Sequence, residues 1–243
     1  MSTSIGSKII TDGLVLVLDT CNHNSYPGTS NWRDIIGDTE SSSFNSITVV
    51  GDKYFSFNGS TSKINFTDVM PDDIFLNGGT CLTWVYPDTD GEGDNGCTIS
   101  KIRSDFTQGG WQMGVRLESS GQVKPYFLSG YGSGIFNMWQ STNYEMNTNE
   151  WSSITWTLDD SDVLNVGDLY INGVNVASEL GLTGGTPADP KPSDATAPLI
   201  AGDRQFSDRS WDGMISYIAF YDRILTATEI RQNHNALNER FNA

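Results

Sequence analysis

The sequence predicts an all-β fold: an antiparallel sandwich of two sheets, closed by a short C-terminal helix. Three observations carry this. Short alternating or β-rich segments recur along the chain, each bounded by Gly, Pro, Asn or Ser. Asn-Gly pairs at Asn58-Gly59 and Asn172-Gly173 suit the positive φ values of tight turns. A single helical pattern with its own start signal stands at the C-terminal end.

The elements follow in order. Gly13–Asp19 is β-rich and ends in a turn-like Cys-Asn-His-Asn-Ser-Tyr-Pro-Gly. Lys53–Gly59 alternates and turns at Asn-Gly, and Lys63–Phe66 continues the alternation. Cys81–Tyr86 is closed by Pro87. Trp111–Leu117 and Val123–Leu128 flank a Ser-Ser-Gly turn. In Trp151–Leu158, Trp151, Ser153, Thr155 and Thr157 share one face, and Ser152, Ile154, Trp156 and Leu158 the other. Asp168–Val176 is a hairpin around Asn172-Gly173. Pro198–Gly202 and Met214–Tyr221 complete the strands. Thr226 and Glu229 form a capping box, and Ile230, His234 and Leu237 follow at helical spacing, which predicts a helix over 227–240.

Residues 1–12 read as an arm and 13–243 as one domain, a length that all-β domains reach. Residues 181–198, with four prolines and three glycines, and the acidic stretch 87–96 read as long loops. The start of the chain shows no secretion-type pattern, and the longest apolar run, Leu14–Leu18, is far short of a bilayer span. Cys21, Cys81 and Cys97 have no metal-type spacing and read as reduced thiols. On that reading the sequons at Asn58 and Asn65 carry no glycan.

Charge excludes some partners. Fourteen Lys and Arg against 30 Asp and Glu give a net charge of -16. Nucleic acid and anionic membranes are therefore poor partners. A solvated acidic coat is the plainest meaning of the acids.

The order of motifs resembles a known family. Phe57-Asn-Gly-Ser-Thr-Ser-Lys-Ile64 resembles the "F-D-G-x-x-x-x-hydrophobic" segment of concanavalin A-like, laminin-G-like jelly-roll domains. Thr80–Asp88 is similar to their "F-T-hydrophobic-x-x-W-V-x-P" strand. Glu150-Trp151 with Asp168–Val174 resembles "W-x-hydrophobic … L-Y-I-N-G". Trp211–Thr226 with Glu229-Ile230 resembles "F-x-G-x-I-x-x-hydrophobic-x-x-Y-x-R-x-L-(S/T)-x-x-E-I". The opening, Gly13–Gly28 followed by Asn31-Trp-Arg-Asp34, is similar to the start of such domains in tailed-bacteriophage structural proteins. The resemblance implies a jelly-roll sandwich. It also implies a virion protein assembled in the bacterial cytoplasm and displayed on the particle surface. There it would act by contacts with other capsid or tail proteins, as a decoration or attachment protein, with self-association left open.

Catalytic patterns are not evident. Glycoside hydrolases of this fold carry an E-x-D-x-x-E strand, and the nearest fragment, Glu92-Gly-Asp94, breaks off at Cys97. The two histidines, His23 in a turn and His234 in the helix, do not suggest a triad. The chain reads as a non-enzyme.

Two binding readings arise from the residues. Asp88, Asp90, Glu92 and Asp94 resemble the first half of a calcium loop, with Ile99 where a bidentate Glu belongs. The alternative is a solvated hairpin tip. Asp19 with Asn22, or Asp203 with Asp208, is a second candidate for Ca2+. Tyr131, Phe136 and Trp139 lie on a Gly-rich stretch and could stack on a sugar, making a lectin-like module for host glycans the alternative function. The competing reading places these rings in the core or at an interface.

Overall fold

The computed structural model describes residues 7–29, 31–51, 53–66, 71–103, 109–187 and 190–241. Met1–Gly6 of the arm, Thr67 of the second sequon and residues 188–189 of the long loop lie outside the described residues.

Two antiparallel sheets form. The first has eight strands, ordered Val174–Val176, Asp168–Ile171, Ser152–Leu158, Gly79–Pro87, Asp212–Tyr221, Tyr54–Asn58 and Thr48–Val50, with Leu14–Asp19 also paired to Asp212–Tyr221. The second has nine, ordered Ser178–Thr183, Ile135–Ser141, Gln122–Gly132, Gly109–Ser119, Asn95–Ile102, Leu199–Ala201, Lys63–Phe66 and Ser41–Asn45, with Met146–Asn147 on Gln122–Gly132.

Alternation places the core. Ile154, Trp156 and Leu158 face inward with Trp32, Trp111, Trp211, Phe55, Phe127 and Phe220 in one inter-sheet cluster. Rings of this size each remove a large apolar area from water. The indole of Trp32 meets Phe55 edge-on at 5.0 Å and 88°. The opposite face of Ser152–Leu158 is buried too, and on that side of the sheet the helix Ala227–Phe241 sets His234 Nδ1 3.0 Å from Ser153 Oγ. Ile230, Leu237 and Phe241 pack there on Trp84, Tyr217 and Tyr221.

Local chemistry explains the ends. Thr226 N–H donates to Glu229 Oε2 at 2.8 Å and Glu229 N–H donates to Thr226 Oγ1 at 3.3 Å, so the capping box forms. Asn172 (φ 51°) and Gly173 (φ 75°) make the hairpin turn with both residues left-handed. Ile9 and Ile10 of the arm pack against the cluster beneath the helix, and Ile10 N–H donates to Asn233 Oδ1 at 2.7 Å. Among the described residues no helix is long and apolar enough to cross a membrane.

Several segments differ from expectation. The acidic loop is shorter than 87–96: Asn95 already begins a strand, and Cys97 and Ile99 are buried in it. The long loop also starts later, because Ser178–Thr183 forms an edge strand beside Ile135–Ser141. The Gly-rich stretch after Gly130 is the tip of two paired strands, turning through positive φ at Gly132, Ser133 and Gly134. Ser41–Asn45 and Thr48–Val50 are strands with weak apolar patterning.

The loop after Thr183 is clipped to one end of the sandwich by two buried cations. Lys191 Nζ pairs with Asp160 and donates to Ser129 Oγ at 2.6 Å. Lys101 Nζ donates to Asp194 Oδ1 at 2.9 Å and also pairs with Asp72. Both lysines and both of their buried partners, Asp160 and Asp194, are almost wholly out of water. Ion pairing makes that burial tolerable.

Candidate glycan-binding site

The helix and arm occupy the outer face of the eight-stranded sheet. The outer face of the nine-stranded sheet carries a different surface. In Gly109–Ser119, Trp111, Met113 and Val115 point to the core, so Gln112, Gly114 and Arg116 point out. In Gln122–Gly132, Val123 and Phe127 point in, and Tyr126 and Leu128 out. In Ile135–Ser141, Trp139 points in, and Phe136 and Met138 out. The register sets Gln112, Leu128 and Met138 in one row across three strands.

These side chains floor a cavity of about 220 Å3, with Asn95, Phe136, Leu182, Arg204 and Arg209 around it. Its lining contains no Asp or Glu, so the carboxylate pair of glycoside hydrolysis is not assembled there. Gly184 lies against the Phe136 ring so closely that a Cβ would come within 2.5 Å of it.

The arginines are held by a turn built on Asp203. That buried carboxylate accepts from the N–H of Arg204 at 2.7 Å and of Arg209 at 3.1 Å, and from Ser210 Oγ at 3.2 Å. Burial raises its pKa against those hydrogen bonds. Arg204 donates to Asp208 as a fork, at 2.7 and 2.8 Å. Burial opposes the Arg204 charge, but Asp208 outweighs it and raises the guanidinium pKa; in return Arg204 holds the Asp208 carboxyl below its ordinary value.

This outer face, with Gln112 in the cavity floor and Arg116 beyond its lining, keeps unmet hydrogen-bonding capacity. Gln112 is 3% exposed, and its Nε2 donates to Tyr126 Oη at 3.0 Å. Its Oε1 is buried and accepts nothing in the structure. Arg116 Nη1 donates to Gln140 Oε1 at 3.0 Å, while its Nε is buried without a partner. Burial lowers the Arg116 pKa and pushes the Tyr126 phenol up, with the Cys97 thiol adding to the latter. A buried acceptor without a donor is uncommon in folded proteins and calls for an explanation.

The expected sugar-binding trio is not brought together. Phe136 lines the cavity. Trp139 is 3% exposed in the inter-sheet core, where no sugar can stack on it. Tyr131 is 6% exposed, donates from its hydroxyl to Asp160 Oδ1 at 2.9 Å and lies under Lys191. Strand alternation is the reason: positions 131 and 139 fall on the inner faces of their strands. Gln112, Arg116 and Tyr126 are polar residues that the alternation of Trp111–Leu117 and Val123–Leu128 could have placed outward. Arg204 and Arg209 reach the site through a turn that no periodicity marks.

The expected calcium ligands also diverge. Asp90 Oδ2 accepts from Glu118 N–H at 2.8 Å, and Glu92 Oε2 accepts from Ser210 N–H at 3.3 Å. Asp88 lies near Asp212, and burial together with that neighbour raises its pKa. Asp94 sits in a left-handed turn (φ 58°) after Gly93. Asp19 is engaged by Arg240, Asp203 by its own turn and Asp208 by Arg204. Among the described residues, no three His, Cys, Asp or Glu side chains converge on a point that could hold a metal ion.

Comparison with known proteins fits this architecture. No curated protein matches the sequence. The receptor-binding domain of botulinum neurotoxin type G superposes with a TM-score of 0.62 at 17% identity, over 92% of this chain and 51% of that one. The serotype D ligand-binding domain, solved with N-acetylneuraminic acid, gives 0.63 at 17%, over 93% and 51%. Trypanosoma rangeli sialidase gives 0.64 at 16%, over 100% and 36%. The chain thus spans about half or a third of these structures, and the likeness is one of fold. The family model of the concanavalin A-like lectin/glucanases superfamily matches residues 58–231, and with two packed antiparallel sheets of this order the chain belongs to that superfamily.

Proposed function

We propose that this protein is a carbohydrate-binding, lectin-like module, and that the sugar sits on the outer face of the nine-stranded sheet. The observation that carries this is the buried, unpartnered Oε1 of Gln112 at the floor of the 220 Å3 cavity. A sugar hydroxyl supplies the missing donor once the Gln112 amide, closed off in the free chain, turns toward the cavity. The apolar face of the ring rests on Phe136, Leu128 and Met138, and Asn95 and Arg209 offer donors to other hydroxyls. The cavity is below the roughly 300 Å3 of drug-sized sites, which suits one sugar ring. The fold relative solved with N-acetylneuraminic acid supports the ligand class.

The test is a glycan array with the wild-type chain and Gln112→Ala, read in calcium and in chelator. Binding to a restricted set of glycans, equal in both buffers and lost in the variant, is expected. A variant that binds like the wild type overturns the site.

The setting belongs to the same proposal: a tailed-phage particle, with the module attached by protein–protein contacts as a decoration or tail adhesin. Its support is the resemblance of the opening at residues 13–34. Immunogold labelling of purified particles tests it. Gold on the head or the tail supports it, and unlabelled particles overturn it.

A further inference from the structure

A second cavity lies on the other side of the sandwich, beside the C-terminal helix. It measures about 320 Å3, within the usual range for small-molecule sites. Its walls are mainly aliphatic: Ile9, Leu14, Val17, Ile36 and Leu237. Ile35 and Ile36 stand at its rim, 37% and 53% exposed. At its polar end Arg240 Nη1 reaches both carboxylate oxygens of Asp19, at 2.9 and 2.7 Å.

Tyr217 also lines this cavity. Its side chain is 2% exposed and its hydroxyl has no hydrogen-bond partner in the structure. Tyr221, four residues along, differs: its hydroxyl donates to Ile10 O at 3.0 Å and accepts from Asn233 Nδ2 at 3.0 Å. The fold therefore satisfies one phenol under the helix and leaves the other with an unused donor, shut off at the cavity wall near the Asp19 and Arg240 charges.

We infer that this cavity binds a small, mainly apolar, neutral molecule carrying one acceptor oxygen, such as a ketone or amide carbonyl. The Tyr217 hydroxyl, shut from solvent in the free chain, donates to that oxygen once a shift of its ring opens it to the cavity, and the aliphatic walls take the rest. Neutrality follows from the polar end: the Asp19 and Arg240 charges already offset one another. A carboxylate ligand would compete with Asp19, and an ammonium with Arg240. Ser7, Thr11 and Asn22 give the wall a few polar groups, but a polyhydroxylated ligand would still set hydroxyls against Ile and Leu, so this site does not duplicate the glycan site.

The experiment titrates 2-heptanone into the full chain, labelled on its Ile, Leu and Val methyl groups, followed by NMR. Saturable shifts at Leu14, Val17, Ile36 and Leu237 are expected. Tyr217→Phe, which keeps the ring, should raise Kd about five- to ten-fold, the size of one hydrogen bond in a dry site. Ala236→Phe should fill the space and abolish the shifts, whereas Gln112→Ala should leave them unchanged. Absence of saturable shifts in the wild type, shifts centred elsewhere, or equal affinity in Tyr217→Phe overturns the assignment.

Discussion

Phe136 and Trp139 lie three residues apart on one strand and face opposite sides of the sheet. Phe136 lines the outer cavity, and Trp139 is sealed between the sheets. Trp139→Ala should therefore act on stability, lowering the unfolding free energy by about 3–5 kcal/mol through the cavity it leaves. Phe136→Ala should cost about 1 kcal/mol or less, since it is only half-buried, and should act on ligand binding. Denaturant unfolding of the two variants checks the contrast.

The clip at Lys191 supplies a second prediction. Its ammonium meets Asp160, which also accepts from Ser129 and Tyr131. Lys191→Ala leaves that carboxylate buried without its counter-charge and should cost about 3–5 kcal/mol. Adding Asp160→Asn should recover part of the loss. Chemical denaturation of the single and double variants measures both.

His234 predicts a pH effect. Its ring stacks on Trp84 at 5.1 Å and 9°, and Nδ1 is 3.0 Å from Ser153 Oγ. Burial lowers its pKa, so the folded chain resists protonation. Below about pH 6.5 the unfolded chain binds the proton more readily than the folded one. The stabilisation is complete above that pH and falls as pH drops toward the lower folded value. His234→Gln should flatten this part of the profile, measured as thermal midpoint against pH with the wild type alongside.

Thiol reactivity is a fourth. Cys81 and Cys97 are buried, and burial pushes both thiols up, while Cys21 is partly exposed. A disulfide reagent should label Cys21 in the native chain and all three cysteines after unfolding. Peptide mapping of the labelled protein identifies the sites.

The sequence made the strands of strong alternation, the Asn172-Gly173 hairpin and the capped helix legible because each has a local cause. The same local rule explains what it left hidden. Counting aromatic residues along 130–140 grouped Tyr131, Phe136 and Trp139, whereas alternation from the buried Trp111 and Phe127 separates them. Ser178–Thr183 hid behind the prolines that follow it, although its edge position needs little apolar surface. Arg204 and Arg209 join the site only because Asp203 folds their turn over three distant strands, a relation that no spacing encodes.

The location of the glycan site on the nine-stranded sheet governs every glycan effect proposed for this chain. Its most direct test is NMR shift mapping of the full chain with a glycan selected on the array. Saturable shifts are expected at Gln112, Leu128, Phe136 and Met138, with the Asp88–Asp94 loop unmoved. Shifts centred on that loop, or none at all with any array-selected glycan, would contradict it.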